Sequence, residues 1–413
     1  MRKQRGSAFI MSLALTLVMI LVVTSFGMRI GSHVRTESTR NDQRAAFAMA
    51  ESGIAQARLN IELLTTPYTS LTDEWVNLGQ NGDENFVVGR GSFRIQILDA
   101  GAFANLNSVS EEQLQRMNIQ EEFLAALLDW REGQFQPRAL GAKDEFYNNL
   151  STPYNTKLRN FDSVDELLLV KGFTPALLYQ VQEEISGQLL IPGNAADQPA
   201  LYELLTTDSA ALNQREDGTA RVNVNTVGLA QLTQAGLQAQ TAQAIIQRRN
   251  TQGTFEDIGD VFATPNLPQQ DLSAILSNLT TTAETTVRGK INLNTASEAV
   301  LNSIPDMTTD ITEAILSRQG SFASLGELAE IPGVSAQVLQ DIADYFTVGS
   351  SAFIARIQGK YNNATVTIEA VITLDEDNRS QVLKIRRLPS SVAIDQWGWA
   401  EETTTDTTLM EVQ

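Results

Sequence analysis

The chain has no cysteine and, in His33, a single histidine among its 413 residues. Without cysteine it forms neither disulfides nor thiolate metal sites, so oxidising surroundings neither help nor harm it. One imidazole cannot build a histidine metal cluster, and neither a phosphate loop nor a nucleophile elbow occurs, so no enzymatic activity is expected. Positive charge is scarce as well: 30 Lys and Arg stand against 49 Asp and Glu, a net charge of −19. A surface of that sign repels nucleic acid and anionic lipid headgroups. Proline is missing before Pro67, which leaves the first sixty or so residues free to be one helix.

What that stretch does contain is ordered by charge. Arg2, Lys3 and Arg5 precede Gly6, and the 22 residues from Ser7 to Met28 carry no charge. As a helix they span about 33 Å, enough for a hydrocarbon core of about 30 Å. The cationic flank would stay cytoplasmic and the bulk of the chain would lie outside. A cleavable secretory signal is the rival reading, but its apolar region is about 7 to 15 residues long, and no small-residue cut site precedes Arg29. Helical character then continues. Phe47, Ala50, Ile54, Ala57, Ile61 and Leu64 repeat at spacings of three and four, so one face stays apolar beyond the membrane. The pattern predicts a single helix from Ser7 to about Leu64, embedded in front and packed on a globular head behind.

Strand signals are confined to two places. Phe93, Ile95 and Ile97 alternate with polar residues after a hairpin at Gly89 and Gly91, and three β-rich runs ("AFIARIQ", "ATVTIEAVITL", "QVLKIRRL") follow some 250 residues later. Isolated hairpins are marginal, so the two groups are expected to share one antiparallel sheet covered by the long helix. The fold class is α+β, with an all-α insertion at residues 102–348. The expected division is a leader at 1–6, the helix at 7–65, the sheet at 66–101 and 349–395, a helical lobe at 102–190, a linker at 191–216, further helical units at 217–288 and 289–348, and a flexible acidic tail at 396–413.

The insertion repeats itself. "FANLNSV", "RVNVNTV" and "KINLNTA" align Asn107, Asn225 and Asn294, and Arg131, Arg249 and Arg318 each follow 24 residues later. A second element begins at Phe161, Phe255 and Phe322. The Asn is expected to cap a helix and the Arg to close a helix C-terminus. The second and third units meet at a Thr-rich joint, Thr280 to Thr286, and each is expected to bury its own apolar residues and be separable.

The short basic leader ending in Gly, the long apolar helix and the segment "RAAFAMAESGIAQA" resemble type IV pilins and type II secretion pseudopilins. The resemblance implies a pilin-like fold, cleavage after Gly6 by a prepilin peptidase and methylation of Ser7. Most members have Glu at the fifth mature position, where this chain has Met11. The repeats resemble helix-hairpin-helix (SAM-like) units. The third is similar to ComEA-type DNA receptors, while "LLDWREG", "GAKDEFYNN", "PYNTK" and "DELLLVKG" are similar to the K-type minor pseudopilins of type II secretion. That resemblance implies an inner-membrane protein with a periplasmic bulk. Its implied partners are the I-, J- and H-type minor pseudopilins and the inner-membrane assembly platform. It also implies calcium in the first lobe, where Asp129, Glu132, Asp144 and Glu145 offer hard oxygen ligands; the alternative is solvated surface carboxylates.

Two functions follow. The first is a minor pseudopilin that starts and caps the filament tip. The second is a minor pilin or competence-type envelope protein that uses its repeats on DNA or a surface. Charge weighs against DNA: the third unit sets Lys290 and Arg318 against Glu298, Asp306, Asp310, Glu313, Glu327, Glu330, Asp341 and Asp344.

Overall fold

The computed structural model describes residues 5–180, 183–185, 188–190, 199–389 and 396–399, the side chains of 5–8, 26–35, 183–185 and 188–190 lying outside the described part. The first element is one helix, α1, Arg5–Glu62, which at 58 residues is about 87 Å long. Its rear face buries Ala50, Ile54, Ala57 and Ile61 as their spacing predicts, and Ala46 besides, while Phe47 and Leu64 are half-buried. Its front is bare: Phe9, Ile10, Met11 and the large apolar residues through Val23 are all exposed. Among the described residues no helix is long and apolar enough to cross a membrane. Of the uncharged run Ser7–Met28, side chains are described only from Phe9 to Ser25.

The head is a five-stranded antiparallel sheet of β1 Phe86–Val88, β2 Gly91–Asp99, β3 Ala352–Tyr361, β4 Ala364–Leu374 and β5 Ser380–Leu388, in that spatial order. Ile97 faces Ala355, which faces Ala370; Ile95 faces Ile357, which faces Ile368. With period two, that register puts Phe93, Ile95, Ile97, Phe353, Ala355, Ile357, Ile368, Ala370 and Ile372 on one side, against α1. The two distant strand groups thus complete one sheet, with the insertion between β2 and β3.

The other side of the sheet is ionic. Arg386 pairs with Glu369 at 2.9 Å and with Asp165, while Lys384 reaches Asp208 at 2.6 Å. The Tyr202 hydroxyl donates to Glu369 Oε2 at 3.0 Å. Burial pushes the Glu369 carboxyl up, and Arg356 and Tyr202 oppose it. Charged groups can face inward here because the first lobe supplies their partners.

Two expected boundaries are corrected. The tail does not begin at 396: Trp397 and Trp399 are buried, and Arg94 lies 4.9 Å from the Trp399 ring centroid. Residues 400–413 lie outside the described part. The linker at 191–216 is also shorter than expected, because Leu201, Tyr202, Leu204 and Leu205 are buried and Leu205–Thr206 pairs in parallel with Ala104–Asn105. Residues 191–198 lie outside the described part.

That parallel pair is the closure of a unit, and it occurs three times. Val222–Asn223 pairs with Leu279–Thr280, and Ile291–Asn292 with Phe346–Thr347. Each unit is a loop of helices tied at its neck by two residues of strand.

The units are not separable in the expected way. Their buried residues form one contiguous apolar cluster from Ala104 to Val348. Gln269 Nε2 of the second unit donates to Ala329 O of the third at 2.7 Å, and Ser277 Oγ meets Ser324 Oγ at 2.6 Å. The third unit is tied to the head as well. Asn292 Nδ2 and Thr295 Oγ1 donate to Asp99 Oδ2 at 2.8 and 2.6 Å, and Ser70 Oγ donates to Gly320 O at 2.9 Å. Asp99 is fully buried at the end of β2; burial pushes its carboxyl up, against the hydrogen bonds it accepts.

Candidate functional site

The repeated asparagines do not cap helices. Asn107 Nδ2 donates to Phe161 O at 3.1 Å and its Oδ1 accepts from Phe161 N at 2.7 Å. Asn225 does the same with Phe255 at 3.0 and 2.9 Å, and Asn294 with Phe322 at 2.8 and 3.0 Å. The carboxamide imitates a neighbouring strand, giving one donor and one acceptor to the backbone of the repeated aromatic of its own unit. It thereby pins the second half of each unit to the first. Asn294 is fully buried and also accepts from Gly320 N at 3.1 Å. Asn294→Ala is expected to leave the two buried backbone groups of Phe322 and the half-buried Gly320 N unpaired and to cost about 3 kcal/mol. A denaturant midpoint equal to the parent's would refute that role.

The repeated arginines do not close helix C-termini either. Arg131 Nη1 donates to Leu106 O and Val109 O at 2.8 and 3.1 Å, and Arg249 Nη1 to Val224 O and Val227 O at 2.6 and 2.9 Å. In the third unit those carbonyls, Leu293 O and Ala296 O, are taken by Gln319 Nε2 at 3.4 and 2.6 Å. Arg318 instead pairs with Glu327 and Glu330 and lies over Phe322, as Arg248 lies over Phe255. The structural equivalents are therefore Arg131, Arg249 and Gln319, one residue off the 24-residue spacing.

The first lobe carries the acidic excursion between Arg131 and Phe161. An aromatic trio shapes it: the Trp130 and Tyr147 ring centroids are 5.2 Å apart, and those of Tyr147 and Tyr154 5.3 Å. Burial pushes the Tyr147 hydroxyl up to about 12, so it stays neutral and accepts from Lys171 N at 3.2 Å. Asp129, 1 % exposed, lies beside this trio.

The expected calcium ligands do not converge. Asp129 Oδ1 is 3.2 Å from Arg138 Nη1, and Glu132 Oε2 is 2.8 Å from Arg138 Nη2. Asp144 Oδ1 accepts from Thr156 N at 2.7 Å, and Glu145 is exposed. Among the described residues no group of three or more His, Cys, Asp and Glu is placed to hold a metal ion. The physical reason is local: Arg138 and Lys143, both within the excursion, sit among the carboxylates.

At the other end of the chain, Gly6 and Ser7 are part of α1, with their side-chain surroundings outside the described part, as are those of His33. Met11 is 75 % exposed on the bare front of α1.

A long helix half bare and half packed on a short antiparallel sheet, with three neck-closed helical units inserted between two strands, defines an α+β head with a helical insertion. Parts of the chain are similar to K-type proteins of type II secretion systems. The family described as "Type II secretion system (T2SS), protein K" matches residues 97–186, and the helix-hairpin-helix motif matches residues 218–280 and 287–347. The type II secretion system protein K of Klebsiella pneumoniae is 26% identical over 302 residues, covering 66% of this chain and 83% of its own length. The protein of the same name from Pectobacterium carotovorum subsp. carotovorum is 25% identical over 198 residues, covering 41% of this chain and 58% of its own length. Among solved structures, a chain of the GspK-GspI-GspJ complex of the enterotoxigenic Escherichia coli type 2 secretion system is similar over 86% of this chain and 99% of its own length. It has 16% identity and a TM-score of 0.45.

Proposed function

We propose that the chain is a minor pseudopilin that starts and caps the tip of the periplasmic filament of a type II secretion system, the filament that drives export of folded proteins across the outer membrane. One observation carries the reading: α1 is continuous from a bare apolar front into the core of a head that bears an insertion far larger than itself. The front is suited to the inner membrane and then to a bundle of like helices. The insertion would collide with neighbours at every filament position except an end. Met11 supports the same place, since an unpaired buried amine costs several kcal/mol, and a subunit without a carboxylate at that position serves only where nothing sits above it.

The partners implied are other minor pseudopilins of I and J type, as in the complex named above, with an H-type subunit, the prepilin peptidase and the assembly platform. Nucleic acid is not among them. Two first-turn amides of the third unit are taken by helix caps, Thr308 Oγ1 accepting from Ile311 N at 3.3 Å and Ser335 Oγ from Val338 N at 3.4 Å, and the unit's acidic excess repels phosphate.

Because the chain has no cysteine, Thr254→Cys on an exposed loop gives a unique label. Gold coupled there is expected at one end of each purified filament; gold at regular intervals would overturn the tip assignment. In the same strain Gly6→Val is expected to leave the precursor uncut and secretion abolished, whereas Met11→Glu should be nearly silent.

A further inference from the structure

Calcium, which the K-type resemblance implies for the first lobe, does not fit the residues found there. The ion takes six to eight oxygens at about 2.3–2.6 Å. In this lobe the oxygens that lie together are already shared between two side chains of the excursion itself. Arg138 gives Asp129 three contacts: its backbone N donates to Oδ2 at 3.0 Å and to Oδ1 at 3.3 Å, and Nη1 to Oδ1 at 3.2 Å. Its Nη2 takes Glu132 Oε2 at 2.8 Å, so one guanidinium bridges both carboxylates. Lys143 Nζ collects the carbonyls beneath them, donating to Asp129 O and to Glu132 O, the latter at 3.1 Å. Space is also closed: a Cβ added to Gly141 would lie 1.8 Å from Asp129 Oδ2. The remaining acids are elsewhere, Asp144 on the Thr156 amide and Glu145 in solvent.

We propose that Arg138 and Lys143 are the lobe's own cation: their two charges bind the Asp129 and Glu132 carboxylates and carbonyls, and hold the excursion closed without a divalent ion. The charge count favours this, with two cations against two carboxylates. A guanidinium is also the better bridge, because its planar fork serves two carboxylates at fixed geometry and keeps its charge at any physiological pH. An incoming calcium ion would have to expel Arg138 from an aspartate that is 1 % exposed, and would then stand beside the displaced charge.

The test is thermal melting of the full chain in detergent, in millimolar calcium and in excess EGTA. The two curves are expected to agree within about 1 °C, since a ligand that does not bind the folded state adds nothing to its stability. A rise of several degrees in calcium overturns the proposal. Arg138→Met is expected to melt several degrees lower in both solutions, and Arg138→Lys to recover most of the loss. An Arg138→Met chain that melts with the parent overturns the proposal too. Should Arg138→Met not accumulate, Arg138→Lys decides alone: melting that ignores calcium supports the proposal, and melting that requires it refutes it.

Discussion

Removal of residues 289–348 is expected to leave a chain that aggregates or unfolds early, even though the cut ends could be joined without strain. Arg288 is paired with Ala210, and Ser351 N, two residues past the other stump, donates to the same Ala210 O, so the cut ends already lie near each other. Geometry therefore permits the excision; energetics opposes it. The second unit would lose Gln269–Ala329 and Ser277–Ser324, and the head would lose Ser70–Gly320 and the Asn292 and Thr295 bonds to Asp99. At about 1 kcal/mol for each hydrogen bond, the loss is on the order of 5 kcal/mol before any apolar area is counted. That is comparable to the whole stability of a domain, about 5–15 kcal/mol. A deletion chain that stays soluble and unfolds at the parent's denaturant midpoint would restore the third unit to the status of a detachable module.

Gly359→Val is expected to be as damaging, for a different reason. At Gly359 strand β3 passes under α1 so closely that a Cβ would lie 2.2 Å from Ala46 O and 2.5 Å from Ala50 N. These are backbone atoms and cannot rotate away, so the helix must lift off the sheet or the strand must bend. Overpacking of this kind costs about 3 kcal/mol. The expected result is a lower melting temperature together with faster proteolysis near Ala46. Gly133→Ala, where a Cβ would meet nothing within 4 Å, is the control and should be silent. Equal melting of the Gly359→Val chain and the parent would show that α1 is not seated as described.

The parts of this architecture that could be read in the sequence were those with a local period. The buried face of α1 follows the helical spacing of Ala50, Ile54, Ala57 and Ile61, and the sheet follows the alternation in β2, so both were foreseen to within a few residues. The three units were legible as a repeat, yet the job of the repeated residue was not. The partner of Asn107 is 54 residues away, that of Asn225 30 and that of Asn294 28, and nothing local announces a side chain that pairs with a distant backbone. The arginine was assigned by counting, and counting chose Arg318 over Gln319 because one extra residue precedes the neck contact in the third unit. Trp397 and Trp399 sit in an acidic, Thr-rich end, and that composition hid two anchors that the ionic face of the sheet receives. In the first lobe the carboxylates were visible as ligands, but that the cation comes from the same loop is a matter of where Arg138 folds back.

The placement of the insertion between β2 and β3 also sets the order in which the molecule can assemble. Arg58 of α1 hydrogen-bonds Ser380 across 322 residues of chain. At about 5–20 residues per second, that partner leaves the ribosome roughly 20 to 60 s after the helix. Long-range pairing of this kind is slow to find, because loop-closure entropy is spent before the sheet returns anything. The helical units close on short necks and can form while synthesis continues; the head cannot. Ile54 and Ile61 therefore wait unsheltered for β3 and β4, and the length of the insertion acts as a timer on how long the apolar back of α1 is open to escort factors or to aggregation.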